Sequence, residues 1–284
     1  MTLTTPASRL LAFSLALAAV FGLATLAGAA AGPDREGASA REEADGAHGM
    51  EAEGEAADPV RGLAVSDGGL TLALEETELE RGGAGELRFR ILDAGAPVRD
   101  FDVEHERRMH LIVVRRDGSG FQHLHPELAE DGTWSTQLTL ADAGAYRVFA
   151  DFSHDGENET LAAEVTVDGH ADHLPLPASA TRADAGDGYS LTLDPPRAGA
   201  GREAQLEFDV TRDGRPVEPE PYLGARGHLV ALREGDLAYL HVHPDEDSLA
   251  FMAEFPTAGR YRLYLQFKHD GRVHTAEFTQ EVPR

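Results

Sequence analysis

The chain has no cysteine among its 284 residues. That excludes disulfides, thiolate zinc centres, iron–sulfur clusters and the cysteine ligand of a blue-copper site. Any metal must therefore sit on imidazole, carboxylate or thioether groups. Positive charge is scarce as well: 25 Lys and Arg face 50 Asp and Glu, a net charge of −25. Such a surface repels phosphate backbones and anionic membranes and attracts cations, which argues against nucleic-acid binding. After residue 27 no apolar run is long enough to span a bilayer. No nucleophile triad, paired catalytic carboxylates or phosphate loop is recognisable, so the sequence predicts no enzyme.

What is present begins with a lone Arg9, an apolar run over residues 10–27 and small residues at 27–31. Residues 1–31 read as a secretory signal peptide, with an uncleaved membrane anchor as the alternative. Either way the remainder is expected to be exported: secreted, periplasmic or anchored to the outer face of the cytoplasmic membrane. Contact with membrane would run through that segment alone. Residues 32–61 are rich in Ala, Gly and Glu, with nine acidic and two basic residues up to Val60. They read as a disordered acidic linker, because they hold too little apolar surface to offset ordering entropy.

From residue 62 the pattern turns to short alternating strands, expected at 70–74, 86–92, 109–114, 121–125, 134–140, 146–152 and 161–167. A second series follows at 189–193, 204–210, 228–232, 238–243, 251–255, 261–267 and 275–282. The expected fold is all-β: two tandem immunoglobulin-like or cupredoxin-like β-sandwiches, repeat 1 over 62–168 and repeat 2 over 188–284, joined by a linker at 169–187. Asp142-Ala143-Gly144-Ala145-Tyr146 and Thr257-Ala258-Gly259-Arg260-Tyr261 each precede a strand, as in the tyrosine corner of immunoglobulin-like sandwiches.

The two series share a histidine pattern: His110, His123, His125 and His154, then His228, His241, His243 and His269. In each copy the second and third histidines follow the first by 13 and 15 positions, and the fourth precedes Asp-Gly. Strand alternation puts His123 and His125 on one face, and His241 and His243 likewise. Turns centred on Asp117-Gly118 and Gly235-Asp236 would set His110 opposite His125 and His228 opposite His243, so each hairpin would present three imidazoles together. His154 and His269 fall in line with the core-facing residues of their strands, and the expectation is one four-histidine cluster at the end of each sandwich. Neutral imidazoles in such number suit copper(II) or zinc(II). His105, His170, His173 and His274 are not duplicated and read as non-ligands. Met109, Phe121, Trp134 and Tyr239 read as packing residues.

The segments Met109-His110-Leu111-Ile112-Val113-Val114, Phe121-Gln122-His123-Leu124-His125-Pro126 and Gly227-His228-Leu229-Val230-Ala231-Leu232 resemble those of exported bacterial β-sandwich modules grouped as YtkA-like. They are more loosely similar to periplasmic copper-binding sandwiches of the CopC and cupredoxin kinds. The resemblance implies an extracytoplasmic domain that handles metal, with no established reaction. The chain departs from the copper-binding sandwiches in lacking a Cys ligand, a Met-rich segment and a ligand histidine at the start of the mature fold.

Together these features predict an exported, non-enzymatic protein that buffers or delivers a copper or zinc ion. Its partners would be metal ions, with an envelope protein as the candidate recipient. The alternative is a non-catalytic immunoglobulin-like adhesion or scaffold module in which the histidines are structural.

Overall fold

The computed structural model describes residues 60–194, 198–240 and 242–284. The expected leader, most of the acidic linker, and His241 lie outside the described residues. Repeat 1 runs β1 (Ser66–Asp67), β2 (Leu70–Leu74), β3 (Glu78–Leu79), β4 (Ala84–Asp93), β5 (Ala96–Pro97), β6 (His110–Arg115), β7 (Gln122–Leu124), β8 (Glu127–Leu128), β9 (Trp134–Thr139), β10 (Gly144–His154) and β11 (Glu157–Val167). Repeat 2 runs β12 (Arg182–Gly186), β13 (Tyr189–Leu193), β14 (Arg202–Arg212), β15 (Arg215–Pro216), β16 (His228–Arg233), β17 (Tyr239–Leu240), β18 (Val242–Pro244), β19 (Ala250–Phe255), β20 (Gly259–His269) and β21 (Arg272–Val282). Among the described residues no helix is long and apolar enough to cross a membrane.

Each repeat is a two-sheet sandwich. In repeat 1 the order β1-β2-β4-β9-β8 faces β3-β11-β10-β6-β7; in repeat 2, β12-β13-β14-β19-β18 faces β17-β16-β20-β21. The described residues are thus all-β, in two tandem β-sandwiches, as expected. Alternation along the strands fills each core separately: Leu72, Phe89, Leu111, Val113, Val148 and Leu161 in the first, Leu191, Leu206, Leu229, Ala231, Leu263 and Phe278 in the second. Both tyrosine corners form. Tyr146 donates its hydroxyl to Asp142 O at 2.8 Å and Tyr261 to Thr257 O at 2.8 Å. The preceding glycines, Gly144 at φ 127° and Gly259 at φ 147°, take a backbone conformation that side chains resist.

The interval expected as linker is partly structured. β12 lies inside it and pairs with β13, a strand hidden from sequence because Arg-Ala-Asp-Ala-Gly carries no large apolar residue. The preceding stretch is tied to both repeats: Asp117 Oδ2 accepts Leu174 N–H at 3.1 Å, and Arg260 Nη2 donates to Leu176 O at 2.9 Å.

A third apolar cluster decides the arrangement. It joins Ile112, Val114, Phe149 and Ala162 of repeat 1 to Val230, Leu232, Leu237, Tyr239 and Tyr264 of repeat 2. These residues have the opposite parity to the sandwich cores, so the outer faces of β6–β10 and β16–β20 pack on one another. Both faces of these strands are covered, which is why β6 is buried along its whole length.

Candidate metal centre

His110 opens β6 and shares the outer face with Ile112 and Val114. The β6–β7 register pairs Leu111 with Leu124 and Ile112 with His123, the register that sets residues 110 and 125 opposite one another. It survives a wider connection than a two-residue turn. Gly118 N–H bonds Arg115 O at 2.8 Å, so the tight turn is centred on residues 116 and 117. His110, His123 and His125 therefore project together, with ring centroids 4.7–5.2 Å apart.

The same logic carries His228, the first residue of β16, onto the outer face of repeat 2. Because the outer faces meet, it joins the first group rather than heading a second one. Its ring stacks on His110 at 5.3 Å and 7° and lies 4.6 Å from His123. His110, His123 and His228 each offer a nitrogen, and the three lie within 4.8 Å of one another. His105, not expected as a ligand, stands edge-on to His110 and His228 at 6.1 and 6.0 Å. It sits in a tight loop with φ 47° and was invisible to the duplication argument because Leu223 takes its place in repeat 2, also at positive φ.

The other expected members among the described residues, His154, His243 and His269, are elsewhere. His154 has the parity of Phe152 and His269 that of Phe267, so both lie on the sandwich-core side of their sheets, opposite to His110 and His228. His154 Nδ1 bonds Asp100 O at 2.9 Å, and His269 Nδ1 pairs with the Tyr189 hydroxyl at 2.7 Å. His243 is exposed: after Leu240 the chain crosses to the other sheet, where His243 is paired with Met252 in β19. The structure thus gathers His110, His123, His125 and His228, with His105 beside them, in one cluster between the repeats instead of one four-histidine cluster per repeat.

Hydrogen bonding fixes the rings. A carbonyl can only accept, so His110 Nε2 donates to Glu104 O at 3.2 Å. His123 Nδ1 donates to Gln266 Oε1 at 2.7 Å, while Gln266 Nε2 reaches Thr275 Oγ1 at 3.2 Å. Burial pushes the His110 and His125 imidazoles down to about 4. It holds those of His123 and His228 well below the usual imidazole range, with repulsion from the neighbouring imidazoles adding to it. The rings are therefore neutral. A neutral ring that donates from one nitrogen offers a lone pair on the other. His110 Nδ1 and His123 Nε2 consequently face each other as two acceptors 2.9 Å apart. His125 Nε2 and His228 Nε2 are buried with no protein partner.

The Arg107 guanidinium adds its repulsion at His110 and His125, in the same direction as burial. Donor chemistry fits a borderline cation: all-imidazole, no thiolate, each of two rings oriented through its far N–H by a carbonyl-type oxygen. Imidazole–zinc bonds of about 2.0–2.1 Å place ligand nitrogens roughly 3–4 Å apart, so small side-chain rotations would close the observed spread.

A family model described as Domain of unknown function (DUF8832) matches the chain twice, over residues 64–169 and 183–284. No curated protein matches. Among solved structures, Salmonella alpha-2-macroglobulin reacted with methylamine is similar over 80% of this chain at 14% identity and TM-score 0.29, and the chain spans 15% of its length. The Escherichia coli adhesin FdeC is similar over 81% of this chain and 67% of its own, at 16% identity and TM-score 0.23. A chimeric titin Z1Z2 tandem is similar over 75% and 96%, at 16% identity and TM-score 0.20.

Proposed function

The chain belongs to the DUF8832 family, carrying its domain twice, and on that premise we propose that it is an exported, non-enzymatic metal-binding protein that holds one copper or zinc ion between its repeats. One observation carries this reading: three neutral imidazoles converge within 4.8 Å, two of them with lone pairs turned on each other. His110 and His123 from repeat 1 and His228 from repeat 2 are the ligands, with His125 as the neighbouring fourth donor. The acidic surface draws cations toward the site, and the role is buffering or delivery outside the cytoplasm.

The test is stoichiometry and ligand dependence. Protein stripped with chelator should take up one zinc(II) or copper(II) ion per chain by calorimetry and metal analysis, and His123→Ala/His228→Ala should abolish that uptake. Binding no tighter in wild type than in the double variant would sink the proposal.

A second reading is favoured by the 7° stacking of His110 on His228 within an apolar contact. Here the chain is a tandem immunoglobulin-like scaffold or adhesion module whose histidines brace the repeat junction. The same double variant would then lose thermal stability in metal-free buffer, and wild type would show no metal-dependent melting shift.

A further inference from the structure

Matching residues of the two repeats meet at the junction, Ile112 and Val114 with Val230 and Leu232, but the contacts around them differ. Phe121 of repeat 1 stacks on Tyr264 of repeat 2 at 4.1 Å and 7°. The counterpart contact, Tyr239 of repeat 2 with Phe149 of repeat 1, lies at 5.5 Å. Ladder pairing puts Gln266 beside His228 and, at the matching position, Asp151 beside His110. Each of these side chains lies on the outer face of its sheet. Asp151 is spent on structure: it accepts from Thr160 Oγ1 at 2.7 Å and contacts the Tyr239 hydroxyl. Gln266 reaches across the junction to His123 instead.

That contact has a directional consequence. Gln266 is buried, with 8% of its surface exposed, and its amide nitrogen is held by Thr275. Its Oε1 is the end presented to His123, 2.7 Å from Nδ1, and as an acceptor it fixes the proton on that nitrogen. Only with the proton there does His123 Nε2 turn its lone pair toward His110 and His228. A residue of repeat 2 thus sets the ligand state of an imidazole of repeat 1. Tyr264, two residues earlier on the same face, anchors the same hairpin by donating to Gly118 O at 2.6 Å.

We propose that Gln266 is the positioning residue of the inter-repeat site, making ion affinity depend on the docking of the two repeats. This rests on the metal-binding reading above. Outer-sphere acceptors of this kind are worth 10–100-fold in metal affinity. The geometry gives the sign for two variants: Gln266→Leu removes the acceptor, and Gln266→Glu replaces it with a stronger one.

The experiment uses the full chain, with zinc(II) and copper(II) titrated against a competing chelator. Imidazole nitrogen chemical shifts are read separately on the metal-free protein. Wild type should show His123 as the Nδ1–H tautomer, and Gln266→Leu should lose that preference and bind either ion about 10–100-fold more weakly. Gln266→Glu should bind at least as tightly as wild type, an outcome that a purely structural role for the amide would not produce. Should Gln266→Leu fail to fold, Gln266→Glu decides alone. Wild-type affinity in Gln266→Leu, weaker binding in Gln266→Glu, or an Nε2–H tautomer in the wild-type apo-protein would each overturn the assignment. A wild-type protein with the Nδ1–H tautomer that takes up no ion would instead remove the metal reading on which it rests.

Discussion

The neutrality of the clustered imidazoles fixes how the metal-free protein responds to acid. His110 and His125 titrate near 4 in the folded chain against an ordinary 6.5, mainly through burial. His123 and His228 shift in the same direction for the same reason. Between these limits the unfolded chain binds protons that the folded chain refuses, so stability is full above about 6.5 and falls as pH drops toward about 4. Metal-free protein should therefore lose melting temperature progressively between pH 7 and 4, and His110→Asn/His123→Asn should flatten that slope. Parallel curves for the two proteins would contradict this account. At this scale the sequence was partly readable. Parity brought His123 and His125 onto one face, and the expected register with His110 held although the turn it was drawn from is centred one residue earlier. Parity also placed His154 and His269 on the core face but did not show that His110 and His228 take the other one. His105 left no signal, since a single histidine in a positive-φ loop has neither a period nor a duplicate.

At the level of elements, β6 and β16 carry the site, and both read as unbroken apolar runs, His-Leu-Ile-Val-Val and His-Leu-Val-Ala-Leu. Such runs signal strands covered on both faces. That signal was present in the sequence, and so was Tyr264 between Leu263 and Leu265. The charged neighbours Arg262 and Lys268 masked it by making the outer face of β20 look solvated. What sequence could not supply was the partner, because a sheet face is covered by whatever the tertiary fold brings to it. Gly227 shows how closely β16 is fitted. A Cβ there would lie 2.5 Å from Leu249 Cδ1 and 2.8 Å from Gln266 O, and the latter is backbone that cannot swing away. Gly227→Ala should cost about 1–3 kcal/mol, the usual range for overpacking, and weaken ion binding by displacing His228 and Gln266 together. Gly83→Ala, where nothing lies within 4 Å, is the control. Equal denaturation midpoints for the two variants would show that β16 has slack.

For the whole molecule, the magnitudes say which contact docks the repeats. Burying a Val, Leu or Ile side chain contributes about 1.5–3 kcal/mol, and Ile112, Val114, Val230 and Leu232 are all buried at the junction. An ion at a hundred times its dissociation constant adds about 2.7 kcal/mol. Apolar contact would therefore exceed the proposed ion as the docking force, and the histidines are brought together by the junction itself. It follows that the junction can be broken without touching a ligand or either sandwich core. Leu232→Lys places an ammonium with no buried partner against Ile112, Val114 and Phe149, while Leu229 and Ala231 still fill the repeat 2 core from the other face of β16. The variant should keep its β-sheet circular dichroism, show a larger radius of gyration by X-ray scattering, and unfold in two calorimetric steps where wild type unfolds in one. Ion uptake should fall with docking, because His228 would leave with repeat 2 and only His110, His123 and the neighbouring His125 would remain on repeat 1. Unchanged scattering together with wild-type ion uptake would mean that the repeats are held by something other than the Ile112–Leu232 face.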